Sequence, residues 1–286
     1  MAINYRYRHQ FGNSPEGTSH RMSMDTTAGW TIESAAEVLL TAEATRSDRH
    51  PITDDWPDLD LDTAYQVQAA LLARKVAQGE RIIGVKLGLT SRAKQQRMGI
   101  SSPLTAWLTD GMVLEAGVPI PTAELIHPRV EPEIVFVLGE KLQGPGITAA
   151  TAMAAVRSVH AGLEVIDSRF TDFKFTLPDV VADNASSSRF VIGSVAYQPD
   201  DIDLAQEACL LSVDGTVVDS ATGAAVQGHP AEALALAANA LAERGLALEA
   251  GSIVLTGGMT DAVFVEPGQQ IVAEFTHLGN VTVVGA

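Results

Sequence analysis

The periodicity of the chain changes at Gly79, and that change limits the folds open to it. Before Gly79 the apolar residues recur every three or four positions. Ile32, Ala35, Ala36, Val38, Leu39 and Leu40 mark an amphipathic helix with Thr31 as its N-cap. A second helix runs from about Leu61 through Tyr65, Val67, Ala70, Leu71 and Lys75, with Asp60 or Asp62 as cap and Gly79 as stop. Beyond Gly79 the apolar residues gather into short runs of β-formers. These include Arg81-Ile-Ile-Gly-Val-Lys-Leu-Gly-Leu, Glu131-Pro-Glu-Ile-Val-Phe-Val-Leu, His160-Ala-Gly-Leu-Glu-Val-Ile-Asp, Arg189-Phe-Val-Ile-Gly, Ser252-Ile-Val-Leu-Thr-Gly-Gly and Gln270-Ile-Val-Ala-Glu-Phe. Asp214-Gly215 and Leu278-Gly279-Asn280 supply tight turns. Helical spacing returns only from Thr148 to about Val159 and from Pro230 to Glu243, where Gly245 is the stop. The pattern predicts an α+β protein: a mixed, mostly antiparallel β core, an N-terminal helical region over 29–80, a β-rich domain over 81–286, and helices packed outside. Residues 1–28 are polar, turn-rich and aperiodic, without the apolar stretch of a secretory signal. They read as a poorly ordered extension or an amphipathic targeting arm, with Met22 and Met24 as alternative starts.

Charge narrows the partners. Thirty-five Asp and Glu against nineteen Lys and Arg leave a net charge of −16, which argues against nucleic acid or an anionic membrane surface. A small anionic ligand is not excluded, because it answers to its local pocket. Cys209 is the one cysteine, so no intrachain disulfide forms. It lies in an apolar run and reads as inert core, and a reducing compartment, the cytoplasm, fits the chain. No apolar run reaches the ~18 residues of a membrane span.

The strongest local signal is Glu131 with Glu133. Residues two apart in a strand share a face, so both carboxylates project together from an apolar run. Two readings fit: solvent-facing alternation, or a carboxylate pair compensated by a cation or a shared proton. Glu164, between Leu163 and Val165, is a third candidate, and three converging carboxylates would suit Mg2+ or Mn2+. His160 shares a face with Glu164, but zinc fits poorly with no cysteine nearby. Lys86, inside a glycine-punctuated apolar strand, either snorkels to the surface or serves acid–base and oxyanion chemistry. Asp183, Asn184, Ser186 and Ser187 form either a surface turn or a tight loop offering hydroxyls and N–H groups to a carboxylate. No Gly-x-Ser-x-Gly elbow is present, which removes the serine-hydrolase reading.

Five segments in order resemble the hydratase/decarboxylase branch of the fumarylacetoacetate hydrolase superfamily. They are Gly84-Val-Lys-Leu-Gly-Leu-Thr-Ser, Pro128-Arg-Val-Glu-Pro-Glu-Ile, Leu163-Glu-Val-Ile-Asp-Ser-Arg, Val181-Ala-Asp-Asn-Ala-Ser-Ser and Gly223-Ala-Ala-Val-Gln-Gly-His-Pro. The resemblance runs from about Thr31 to the C-terminus. It implies a Mg2+ or Mn2+ ion held by Glu131, Glu133 and Glu164, with Lys86 and Asp183 as catalytic groups. Leu87, Thr90, Ser91, Lys174, Asn184, Ser186, Ser187 and Thr256 would contact a 2-oxo dicarboxylate substrate. Phe173-Lys-Phe, Thr256-Gly-Gly-Met-Thr and Arg92-Ala-Lys near Met98-Gly look like the decarboxylase side of the branch. The implied reaction is metal-dependent conversion of 2-oxo-3-hexenedioate to 2-hydroxypenta-2,4-dienoate and CO2 in aromatic-compound catabolism. Its alternative is hydration of the dienoate. A homo-oligomer, with a possible complex with the pathway hydratase, is also implied. The chain departs from the pattern in its N-terminal extension and in Pro132, where the family carries alanine. A proline lacks the N–H, so the strand is expected to be an edge there or to expose that donor position, which bears on the pairing but not on the carboxylates.

Overall fold

The computed structural model describes residues 29–92, 95, 96 and 99–286. The N-terminal extension and Ala93, Lys94 and Met98 of the decarboxylase-like stretch lie outside the described residues. Helix α1 (Ile32–Thr45) opens with a reciprocal cap, in which Thr31 Oγ1 accepts from Ser34 N and Ser34 Oγ accepts from Thr31 N. After the single turn α2 (Ile52–Asp55), α3 (Leu61–Ala77) starts at Asp60, whose carboxylate accepts from Thr63 N at 2.8 Å. Ala35, Ala36 and Leu39 of α1 and Ala64, Val67, Leu71 and Leu72 of α3 are buried together in the main core.

The strands follow: β1 (Ile82–Gly88), β2 (Leu104–Thr109), β3 (Arg129–Leu138), β4 (Val156–Ile166), β5 (Ser187–Ile192), β6 (Ala208–Val213), β7 (Thr216–Thr222), β8 (Ile253–Leu255), β9 (Val263–Phe264), β10 (Gln270–Phe275) and β11 (Gly279–Val284). Among them lie α4 (Ala149–Ala154), α5 (Leu177–Ala182) and α6 (Pro230–Glu243). The larger sheet has the order β2-β1-β8-β3-β4-β5, with β9 added to β3, and only β1 and β8 pair in parallel. A smaller antiparallel sheet, β11-β10-β6-β7, carries the Asp214-Gly215 hairpin, whose two residues take φ of 48° and 78°. Both sheets and the helices share one continuous core. Among the described residues no helix is long and apolar enough to cross a membrane.

The larger sheet curls. The chain leaving β2 bridges to β5, where Leu114 N donates to Phe190 O at 2.9 Å, so the concave face becomes an interior. At one end Leu108, Met112, Val135, Phe190 and Leu255 pack as an apolar plug. Lys86 is in register with Leu255 and Glu164 with Phe190, while Glu133 lies two residues from Val135. Period-two alternation therefore turns Lys86, Glu133 and Glu164 toward that same interior, at its other end.

One element is shorter than its sequence suggests. The alanine-rich helix expected from Thr148 to about Val159 stops at Ala154, and Val156 to Val159 join β4, with Val156 opposite Leu138 and Val159 opposite Phe136. The buried valines find an apolar partner row on β3, and that pairing outweighs the helix propensity of the alanines.

Candidate metal and substrate site

Glu131 and Glu133 leave the same face of β3, and Glu131 stands opposite Glu164 of β4. One oxygen from each of the three lies within 4.8 Å of the other two, so all three fall within about 2.8 Å of a common centre. That is close to the bond lengths of a hard divalent cation, roughly 2.0–2.6 Å. Glu133 is fully buried. Burial, then the charges of Glu164 and Glu131, push its carboxyl well above the ordinary carboxylate range, against the pull of the Gly257 amide and Lys86. Its Oε2 accepts from Gly257 N at 2.7 Å, while its Oε1 has no hydrogen-bond partner.

Lys86, 4% exposed, extends from β1 to Glu164. Its Nζ lies 3.1 Å from Oε1 and donates to Oε2 at 3.2 Å. Lys86 and, through its charge on Glu131, Arg129 supply positive charge at the cluster. An all-oxygen donor set converging within bonding reach of one centre and a buried Glu133 oxygen without a hydrogen-bond partner together fit a divalent cation such as Mg2+ or Mn2+.

Pro132 leaves the β3–β4 register intact, opposite Leu163. Its carbonyl accepts from Met259 N at 2.9 Å, on the side away from β4. The missing N–H faces that same side, in the gap between the segments of β3 that pair with β9 and with β8. The donor position lies where no strand pairs with β3 although the Met259 backbone covers that side, so the pairing survives and the carboxylates flanking the proline keep their aim.

The diglycine after β8 threads between two site residues. Gly257 has φ of +110°, and a Cβ there would lie 2.1 Å from Thr90 Oγ1; a Cβ on Gly258 would lie 2.7 Å from Glu131 Oε2. Only glycines let the backbone pass while Gly257 N holds Glu133. Gly258→Ala is expected to displace the Glu131 carboxylate and weaken Mg2+ binding by about tenfold with the fold retained; calorimetric titration of the purified variant checks this.

A cavity of about 140 Å3 opens beside the cluster. Lys86, Glu131, Leu87, Thr90, Ser91 and Ser186 line it, and Leu104, Ile166, Phe173, Phe175 and Val180 make the remaining wall largely apolar. Thr90 is held there by its carbonyl, which accepts from Gln227 N at 3.0 Å. The other residues implied by the family resemblance do not line the cavity. Asp183 is buried against Arg169, to which it is hydrogen-bonded; burial pushes its carboxyl up to about 6 while Arg169 opposes the rise. Asn184 accepts from Trp107 N and donates to Trp107 O, both at 2.9 Å, tying the loop to β2. Ser187 is buried in β5, and Thr256 Oγ1 donates to Ile134 O at 2.7 Å. Lys174 is exposed and pairs with Asp172 at 3.1 Å.

The loop reading is nonetheless apt in one respect: Asn184, Ala185 and Ser186 have φ of 47°, 50° and 60°. Three successive left-handed residues without glycine need firm support. Arg169 gives it, donating to Asp183, to the Asp183 carbonyl and to the Asp167 carbonyl. His160 bonds to Ser158 Oγ and Gly193 O, apart from the carboxylates. Phe173 and Phe175 join the site although the sequence marks their segment only as branch-like, whereas Gly257 and Gly258 lie in Thr256-Gly-Gly-Met, a weak sequence candidate for a ligand-presenting loop.

Over residues 81–284 the chain matches the fumarylacetoacetate hydrolase C-terminal family, and it belongs to that family. Within it, the chain is 43% identical over 247 residues to 4-oxalocrotonate decarboxylase of Pseudomonas sp. (strain CF600), covering 86% of this chain and 94% of the relative. It is 41% identical over 232 residues to 2-hydroxyhexa-2,4-dienoate hydratase of Comamonas testosteroni, covering 80% of this chain and 88% of that one. Among solved structures, 4-oxalocrotonate decarboxylase from Pseudomonas putida G7, complexed with magnesium and adipate, superimposes with a TM-score of 0.87 at 38% identity, covering 94% of this chain and 100% of that one.

Proposed function

We propose that the chain is a divalent-metal-dependent carboxy-lyase converting 2-oxo-3-hexenedioate (4-oxalocrotonate) to 2-hydroxypenta-2,4-dienoate and CO2 in the breakdown of aromatic compounds. The observation that carries this reading is the buried three-carboxylate cluster with its lysine, opening on a largely apolar cavity. The relatives of that activity support it. Glu131, Glu133 and Glu164 would hold Mg2+ or Mn2+, which when bound supplies Lewis acidity to the keto oxygen and neighbouring carboxylate of a 2-oxo acid.

The chain's own groups do the rest. Thr90 and Ser91 line the cavity beside Lys86 and Glu131, where the C1 carboxylate would sit, and Ser186, whose hydroxyl donates to Asp183 Oδ2 at 3.3 Å, lines it as well. The apolar wall receives the distal carboxylate, where poor solvation disfavours the anion and favours its departure as neutral CO2. The C5–C6 bond breaks, and its electron pair moves through the conjugated chain to the oxygen on C2. Lys86 faces that oxygen, stabilises the developing negative charge and passes it a proton, leaving the enol product. Asp183 acts through Arg169, bracing the left-handed loop that presents Ser186.

A product assay tests the assignment. Purified protein with Mg2+ is expected to release CO2 from 2-oxo-3-hexenedioate, to lose that activity in EDTA and to regain it with added Mg2+. Hydration of 2-hydroxypenta-2,4-dienoate without CO2 release from the dicarboxylate would instead assign the sister reaction.

The reading extends to a homo-oligomer able to associate with the pathway hydratase, supported by exposed Leu210, Val217 and Val218 on the β6–β7 hairpin at the edge of the smaller sheet. A cytoplasmic setting is supported by Cys209, the single cysteine, whose thiol burial pushes up to about 12 and so keeps unreactive.

A further inference from the structure

We propose that Arg129 is a positioning residue: its guanidinium clamps the Phe173 ring over the cavity and, through that ring, keeps water from the substrate's conjugated chain. The proposal rests on the decarboxylase reading above. Arg129 begins β3 and shares a strand face with Glu131 and Glu133. Its guanidinium carbon lies 4.0 Å from the centroid of Phe173 and 4.2 Å from that of Phe264. Phe264 is its register partner on β9, so the β3–β9 pairing itself sets one side of the clamp. Phe173 also packs on His127 at 4.8 Å between centroids, and His127 Nε2 is fixed 2.8 Å from the Ser168 carbonyl. Arg129 Nε is buried without a hydrogen-bond partner. At that atom the guanidinium is held by rings rather than by acceptors, the use for which a planar, weakly hydrated cation is suited.

Phe173 needs such a clamp. It and Asp172 have φ of 56° and 58°, two successive left-handed residues neither of which is glycine. A conformation of that kind persists only where its surroundings enforce it. The same short segment delivers Phe173 and Phe175 to the cavity wall. Their position matters chemically because the product of CO2 loss is itself open to water. Moving a proton from the enol oxygen to C5 gives a 3,4-unsaturated 2-oxo acid, and water then bonds through oxygen to C4 and leaves a proton on C3. An aromatic wall at this place suppresses that addition and keeps the departing carboxylate poorly solvated.

The experiment is a double-mutant cycle on the Mg2+-loaded enzyme, reading CO2 release, Mg2+ affinity and the fraction of 4-hydroxy-2-oxopentanoate among the products. Arg129→Met and Phe173→Ala are each expected to lower kcat by about tenfold or more. Mg2+ affinity is not weakened, and in Arg129→Met, which removes a positive charge acting on Glu131, it is kept or tightened; the double variant is no slower than Phe173→Ala alone. The hydrated product rises in each, and Arg129→Lys does not rescue, because an ammonium cannot stack on both rings. If Phe173→Ala does not fold, Phe173→Leu carries the same comparison. Effects that multiply in the double variant, or an Arg129→Met loss confined to KM with no hydrated product, would overturn the clamp and make Arg129 a direct ligand of the distal carboxylate. Failure of the underlying reading looks different: the unmodified enzyme would release no CO2 from 2-oxo-3-hexenedioate.

Discussion

Lys86→Met lowers turnover of 2-oxo-3-hexenedioate by an expected 100- to 1,000-fold or so, the usual consequence of removing a group that stabilises a developing oxyanion. Methionine preserves much of the side-chain volume within the apolar strand β1, so the fold is retained. Lys86 contributes a positive charge beside Glu164 at 3.1 Å. Its removal takes a positive charge away from Glu164, so Mg2+ binding is kept or tightened rather than lost. CO2 release at saturating Mg2+, measured alongside calorimetric titration of the metal, separates the two effects. A turnover close to that of the unmodified enzyme would take Lys86 out of the mechanism.

Glu133→Gln is expected to have the opposite signature: metal affinity falls by about 100-fold or more, since even groups that merely orient a ligand are worth 10- to 100-fold. A second readout is stability against pH in the metal-free protein. Burial and two neighbouring carboxylates raise the Glu133 carboxyl above its ordinary value near 4.5. Below that value the folded and unfolded chains both carry the proton, and its contribution to stability is fully present. As pH rises past it, the unfolded chain releases the proton while the folded chain keeps it. Metal-free stability therefore declines with rising pH until the folded group also ionises. Glutamine, neutral throughout, flattens that decline. Mg2+ should raise the melting temperature of the unmodified protein, by the equivalent of about 2.7 kcal/mol at a hundred times its Kd, and leave Glu133→Gln nearly unmoved. An unchanged metal titration in the variant removes Glu133 from the ligand set.

Much of the architecture was legible because it is local. Thr31 and Asp60 cap the helices that their sequences announce, and Asp214-Gly215 makes the hairpin its dipeptide favours. Where a long-range partner competed with local propensity, as at Val156 to Val159 against β3, the local signal lost. The site divides along the same line. Glu131 and Glu133 share a face by strand period alone, but their relation to Glu164 depends on a register that pairs residues 33 positions apart. Asn184 illustrates the converse: short polar side chains in a tight loop suited a ligand, yet its amide is satisfied by the Trp107 backbone.

From the residues alone came the helix-to-strand switch at Gly79, the acidic character of the chain, the pairing of Glu131 with Glu133, and the motif order that marks the family. Folding in three dimensions decided the curl that turns Lys86 toward Glu164, the passage of Gly257 and Gly258 between Thr90 and Glu131, and the seating of Phe173 beside Arg129. The division has a physical origin. Strand alternation, caps and turns are set by neighbours a few bonds away, whereas which faces meet is set by burial of a shared core that no single segment contains.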